Sequence, residues 1–216
     1  MSAEFIYEQL RAEGMTHAGA CALMGNLMAE SSLIANIAQR GMTELTDVEY
    51  TAKFDRAPET CYRDGVGYGL AQWTYWSRKK ALFEFAYSNG ESVGDEETQV
   101  EFLLHELKTD FPGLYTILCA TNDMYAATDT VCREYERPAI NNVDRRYEFA
   151  KIFDKDFADK KQIVVSQTKP QYFPPDQSIL VLQAVLVANG YQTEITGYKN
   201  EQFLQTLREF VRDIGG

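Results

Sequence analysis

Thr16-His17-Ala18-Gly19-Ala20-Cys21-Ala22-Leu23-Met24-Gly25-Asn26-Leu27-Met28-Ala29-Glu30-Ser31-Ser32-Leu33 is the stretch on which the fold turns. Ala20, Leu23, Met24, Leu27 and Met28 recur at helical spacing, which predicts a helix from about His17 to Ser31 with Thr16 as its N-cap. Ala18, Gly19, Ala20, Ala22 and Gly25 are small, so neighbouring helices can approach closely. A central, mostly buried helix is expected, with Glu30 at its C-terminal end.

Glu30 has Leu27, Met28 and Leu33 as near neighbours in sequence. An apolar setting disfavours a carboxylate, and the negative end of a helix acts in the same direction, so a raised pKa is expected there. About forty residues later comes Gly67-Tyr68-Gly69-Leu70-Ala71-Gln72-Trp73. Its spacing is not that of a dinucleotide-binding glycine motif. Gln72 offers a donor and an acceptor to sugar hydroxyls, and Trp73 offers a face for stacking; Trp76 is expected in the core. A proton donor beside a polar and aromatic wall suits the protonation of a sugar leaving group.

The 216 residues suffice for one large or two small domains. Hydrophobic residues make up 45% and charged residues 25%, the balance of a globular chain. The net charge of −11 argues against nucleic acid and anionic membrane as partners. No run is long and apolar enough for membrane insertion. Met1-Ser2-Ala3-Glu4-Phe5 has neither a basic nor an apolar leader region, so synthesis without a signal peptide is expected. Cys21, Cys61, Cys119 and Cys132 are scattered, which suits a reducing cytoplasm and no metal site. No cofactor is expected.

The first 160 residues read as mainly α. A short amphipathic helix carrying Phe5, Ile6 and Leu10 ends at Gly14, and helices resume near 77–87, after Asp95, at Pro112, after Asp123 until Pro138, and from Asn142. From about Ala35 to Gly69 there is no sustained period, so an irregular lobe or short hairpin lining a cleft is expected. Residues 161–177 hold three of the six prolines and read as a linker. Residues 178–216 read as a small helical segment.

A second carboxylate would position water opposite Glu30. Asp64 is preferred, with Glu44, Asp47, Glu49 and Asp55 as alternatives. His17 and His105 have no cysteine or serine partner visible by pattern, which sets a Cys–His peptidase well behind.

Asn26-Leu27-Met28-Ala29-Glu30-Ser31-Ser32-Leu33, then Gly67-Tyr68-Gly69-Leu70-Ala71-Gln72-Trp73-Thr74, then Tyr135-Glu136-Arg137-Pro138 resemble, in order and spacing, the motifs of the phage tail lysozyme family. The resemblance spans about residues 3–158. It implies a lysozyme-like fold of the α+β kind with a small irregular or β lobe. It also implies cleavage of peptidoglycan glycan strands between N-acetylmuramic acid and N-acetylglucosamine, by hydrolysis or transglycosylation. By position it places the catalytic acid at Glu30 and glycan contacts around Tyr68 and Gln72, and it implies a structural buried ion pair for Glu136 and Arg137. A phage or prophage route would carry the protein to the wall. Within the tail, Leu182-Gln183, Leu186, Asn189-Gly190-Tyr191 and Gly197 are similar to a three-helix peptidoglycan-binding repeat, although Thr196-Gly197-Tyr198-Lys199-Asn200 replaces its usual turn.

Overall fold

A computed structural model describes residues 3–138 and 140–160, together with positions 183, 186, 190, 191, 206, 207, 209, 210 and 212. The linker expected at 161–177 lies outside the described residues, as does most of the segment expected at 178–216.

The described chain is mainly helical: α1 Ala3–Ala12, α2 His17–Ser31, α3 Asp47–Arg56, α4 Trp76–Asn89, α5 Glu96–Thr109, α6 Pro112–Ala120, α7 Met124–Thr130 and α8 Val143–Asp156. Several starts expected from capping residues are present. Thr16, Asp95, Asp123 and Asn142 each accept a hydrogen bond from a backbone N–H in the first turn of the helix that follows.

α2 is the hub. Residues 19–27 are all buried, and the helix packs against α1, α6, α7 and α8. Two glycines permit this. A Cβ on Gly19 would lie 2.1 Å from the Leu118 carbonyl oxygen of α6, and one on Gly25 would lie 2.5 Å from the Arg146 carbonyl oxygen of α8. Neither position has room for a methyl group.

Residues 35–75 form a lobe over the C-terminal end of α2. Among the described residues there is no sheet, so the β component of an α+β fold is absent from them. Only isolated bridges join Ala38 to Tyr68 and Tyr68 to Trp73. The lobe also contains α3, which falls in the stretch expected to be irregular. Its start is a capping box in which Thr46 and Glu49 satisfy each other's backbone N–H. Its apolar face is only Tyr50 and Phe54, four residues apart, which pack with Tyr68.

α7 does not stop at its last regular turn. It runs on as a π-helical turn, Val131–Glu136, and Arg137 at φ 49° turns the chain out of the helix just before Pro138. A π turn widens the helix by one residue and re-aims the side chains after it, a device often found at functional sites.

Candidate active site

An open cleft of about 960 Å³ runs between the lobe and the helical body. Its lining includes Glu30 from the end of α2, Gln39, Gln72 and Tyr75 from the lobe, and Glu136 and Arg137 from the π turn. Among the described residues, Glu30 and Glu136 are the carboxylic acids on its wall.

Glu30 is placed by the way α2 ends. Ser32 and Leu33 both have left-handed backbone, φ 56° and 60°, so the chain turns sharply after the glutamate. Arg146 Nη2 donates to Glu30 Oε1 at 2.5 Å, and the same guanidinium donates through Nη1 to Asn26 Oδ1 at 3.2 Å. Asn26 in turn donates to the carbonyls of Ala22 and Thr128. The asparagine four residues before the glutamate therefore clamps α2, α7 and the arginine together. Glu30 was expected among apolar neighbours; it sits in an ion pair whose arginine side chain is only 7% exposed. Arg146 carried no sequence signal, because its partner lies 116 residues away.

Glu136 differs from the expectation of a buried ion pair with Arg137. Arg137 is exposed, and its Nε donates to the Glu134 carbonyl. Glu136 Oε1 is shielded from solvent and has no hydrogen-bond partner. Burial foremost, and next the charge of Glu30, push its carboxyl well above the ordinary glutamate range, against the opposing charges of Arg78 and Arg146.

Asp64 lies at the base of the lobe and is not on the cleft wall. Its Oδ1 accepts from Lys79 Nζ at 2.8 Å and Val66 N at 3.0 Å, and its Oδ2 from Tyr50 Oη at 2.7 Å. Burial opposes its charge, yet the Lys79 ammonium and these hydrogen bonds outweigh burial and hold the carboxyl below the usual range. Three of the alternatives are similarly occupied. Asp47 accepts from Ala38 N and Arg40, Glu49 caps α3, and Asp55 accepts from Ser92 and Val93 N.

Tyr68 and Trp73 are completely buried, so neither offers a face to a substrate in the cleft. Tyr68 Oη is 2.6 Å from Thr51 Oγ1. Trp73 Nε1 donates to Glu106, a buried carboxylate that also receives Arg78 and Tyr135. Gln72 does line the cleft, with left-handed backbone at φ 47° and its Nε2 bonded to the carbonyls of Ile37 and Gly69. Tyr75 and Trp76 are exposed instead, which reverses the expectation for the two tryptophans. Tyr75 is on the cleft wall.

Among the described residues no group of three histidine, cysteine or acidic side chains is placed to hold a metal ion. His17 does meet Cys21 and Asp154, but both approach the same ring nitrogen, Nε2, and Cys21 is fully buried. A nucleophilic triad divides its base between two nitrogens, and here the second, Nδ1, meets Tyr7 Oη at 2.7 Å, so this hydrogen-bonded cluster does not have a triad's arrangement.

These features define a class: a helical domain with a central buried helix and an open, acid-bearing cleft. A family model for phage tail lysozyme matches residues 2–157, and the chain belongs to that family. It is a peptidoglycan-lytic enzyme, with the cell wall as its place of action. No curated protein matches the chain significantly. No helix among the described residues is long and apolar enough to cross a membrane.

Proposed function

We propose that the chain is a muramidase that cleaves the β-1,4 bond between N-acetylmuramic acid and N-acetylglucosamine, with Glu30 as general acid. The observation that carries this reading is the position of Glu30. The last turn of a rigid, buried helix delivers one carboxyl to an open cleft in a phage tail lysozyme domain. In the reaction, neutral Glu30 protonates the glycosidic oxygen as its bond to the anomeric carbon breaks and positive charge builds on the ring. The wall formed by Gln39, Gln72 and Tyr75 holds the glycan in register with the acid. Release of the protein through a phage or prophage route would bring it to its substrate.

One observation favours a lytic transglycosylase as the second reading. The preferred water-positioning acid, Asp64, has both oxygens engaged by Lys79, Val66 and Tyr50. Internal attack by the 6-hydroxyl of the muramic acid needs no separately held water. Product analysis decides. Purified peptidoglycan digested by the wild type should yield soluble fragments, and Glu30→Gln, folded, should yield none. Reducing muramic acid ends indicate hydrolysis, and anhydro ends indicate transglycosylation. Binding without fragments, over a range of pH and salt, would reduce the protein to a wall-binding module.

A further inference from the structure

We propose that Glu136 is the proton-holding partner of Glu30, so that the two carboxyls work as a single dyad that carries one proton between them. The inference rests on the reading of Glu30 as general acid and adds a positioning residue to it.

The geometry is independent of that reading. The two acids come from different elements, the end of α2 and the end of the π turn, and open onto the same cleft. Their surroundings are unequal. Glu30 is bonded to Arg146, whereas Glu136 presents an oxygen that is shut off from solvent and bonded to nothing. Glu136 is half-buried, but a carboxylate oxygen that is shielded and unbonded is costly, and less so on a neutral acid. The charged and titratable groups around Glu136 are Glu30, Arg78, Arg146 and Glu106 from the packed helices and Tyr135 and Cys132 on its own turn. Arg78 is committed to Glu106 by two hydrogen bonds, at 2.6 and 2.7 Å, and Arg146 is committed to Glu30 and Asn26. Neither guanidinium hydrogen-bonds the shielded Glu136 oxygen, although the charges of both favour its ionised form. Two carboxyls in one partly dry site do not both ionise readily, and the shielded, unbonded oxygen makes Glu136 the place where the proton rests.

The proton bookkeeping then closes. One proton leaves the pair through Glu30 to the glycosidic oxygen as the bond breaks. The attacking hydroxyl, from water or from the sugar's own 6-position, loses its proton as it bonds to the anomeric carbon. That proton reloads the dyad. The scheme is the same for either fate of the sugar.

The test is the pH–rate profile of peptidoglycan solubilisation for the wild type, Glu136→Gln, Glu136→Asp and Glu30→Gln, each checked for folding by thermal unfolding. Loss of the dyad's last proton sets the alkaline limb. Without a like-charged neighbour Glu30 must hold that proton alone, so Glu136→Gln moves the limb toward lower pH by about one unit or more. Glu136→Asp keeps a titrating carboxyl and restores most of the shift. A folded Glu136→Gln with the wild-type alkaline limb overturns the proposal. Activity in Glu30→Gln would instead overturn the reading of Glu30 and is recognised separately. Carbon-13 NMR of glutamate-labelled wild-type protein guards against a variant that does not fold. One carboxyl still protonated at neutral pH, and coupled in its titration to a second, supports the dyad, and its absence overturns it.

Discussion

Trp73 Nε1 lies 3.0 Å from Glu106 Oε2, deep in the body of the protein. Tyr135 Oη donates to the same oxygen at 2.6 Å, and Arg78 holds both oxygens of the carboxylate. One buried glutamate on α5 thus joins the glycine-rich segment, α4 and the π turn that carries Glu136. Glu106→Ala removes the acceptor for all three and leaves Arg78 without its carboxylate. Breaking a buried pair in this way costs about 3–5 kcal/mol. Arg78 is partly exposed, so the lower end of that range is expected. Urea unfolding measures it, and Glu106→Gln should recover only part of the loss.

The Asp64–Lys79 pair makes an acid-sensitive tie between the lobe and α4. Lys79 is fully buried, and its three donors reach Asp64, Tyr50 and the Val66 carbonyl. The Asp64 carboxyl is held below its usual range in the folded state. Its stabilising effect is therefore present above the unfolded value of about 4 and is lost as the pH falls through the folded value. Melting temperature measured against pH should drop in that acid window for the wild type. Asp64→Asn should be destabilised at neutral pH by about 3 kcal/mol, because it strands a buried ammonium. The double change Asp64→Asn with Lys79→Met should be more stable than Asp64→Asn alone.

Tyr68 and Tyr75 separate structure from binding. Tyr68 is buried with its hydroxyl against Thr51, while Tyr75 is 64% exposed on the cleft wall. Tyr68→Phe should lower stability by about 1 kcal/mol through the lost hydrogen bond and leave KM for soluble glycan fragments unchanged. Tyr75→Ala should raise KM with little change in melting temperature. The opposite pattern would mean that the lobe rearranges when glycan binds.

The helices of the body were legible because their signals are local. Thr16, Asp95, Asp123 and Asn142 announce starts, and the small residues of α2 announce burial. α3 was missed because Tyr50 and Phe54 alone make its apolar face, although Thr46 and Glu49 spell a capping box. In the candidate site, Glu30 stood out and Glu136 did not. What sets Glu136 apart is an absent hydrogen bond and a neighbour more than a hundred residues away, and neither is written in local pattern. Trp73 misled for a physical reason: an indole suits stacking on sugar and packing in a core equally well, and only the Glu106 carboxylate beneath it decides.

Gly25 and Arg146 tie the packing of the body to the chemistry of the cleft. The Arg146 carbonyl sits where a Cβ on Gly25 would be, 2.5 Å away, while the Arg146 guanidinium holds Glu30. Gly25→Ala must push α8 off α2 and carry the guanidinium with it. Overpacking of this kind costs about 1–3 kcal/mol, measurable by denaturant unfolding. A displacement of the acid by about 1 Å is enough to lower kcat a hundredfold. Arg146→Lys separates the two effects. It leaves the backbone contact at Gly25 intact, and a lysine's single charged point cannot bond Glu30 and Asn26 together as the planar fork does. A fall in kcat of about tenfold or more, with stability nearly kept, would show that the arginine aims the acid. If kcat survives in Arg146→Lys but collapses in Gly25→Ala, helix spacing alone sets the position of Glu30.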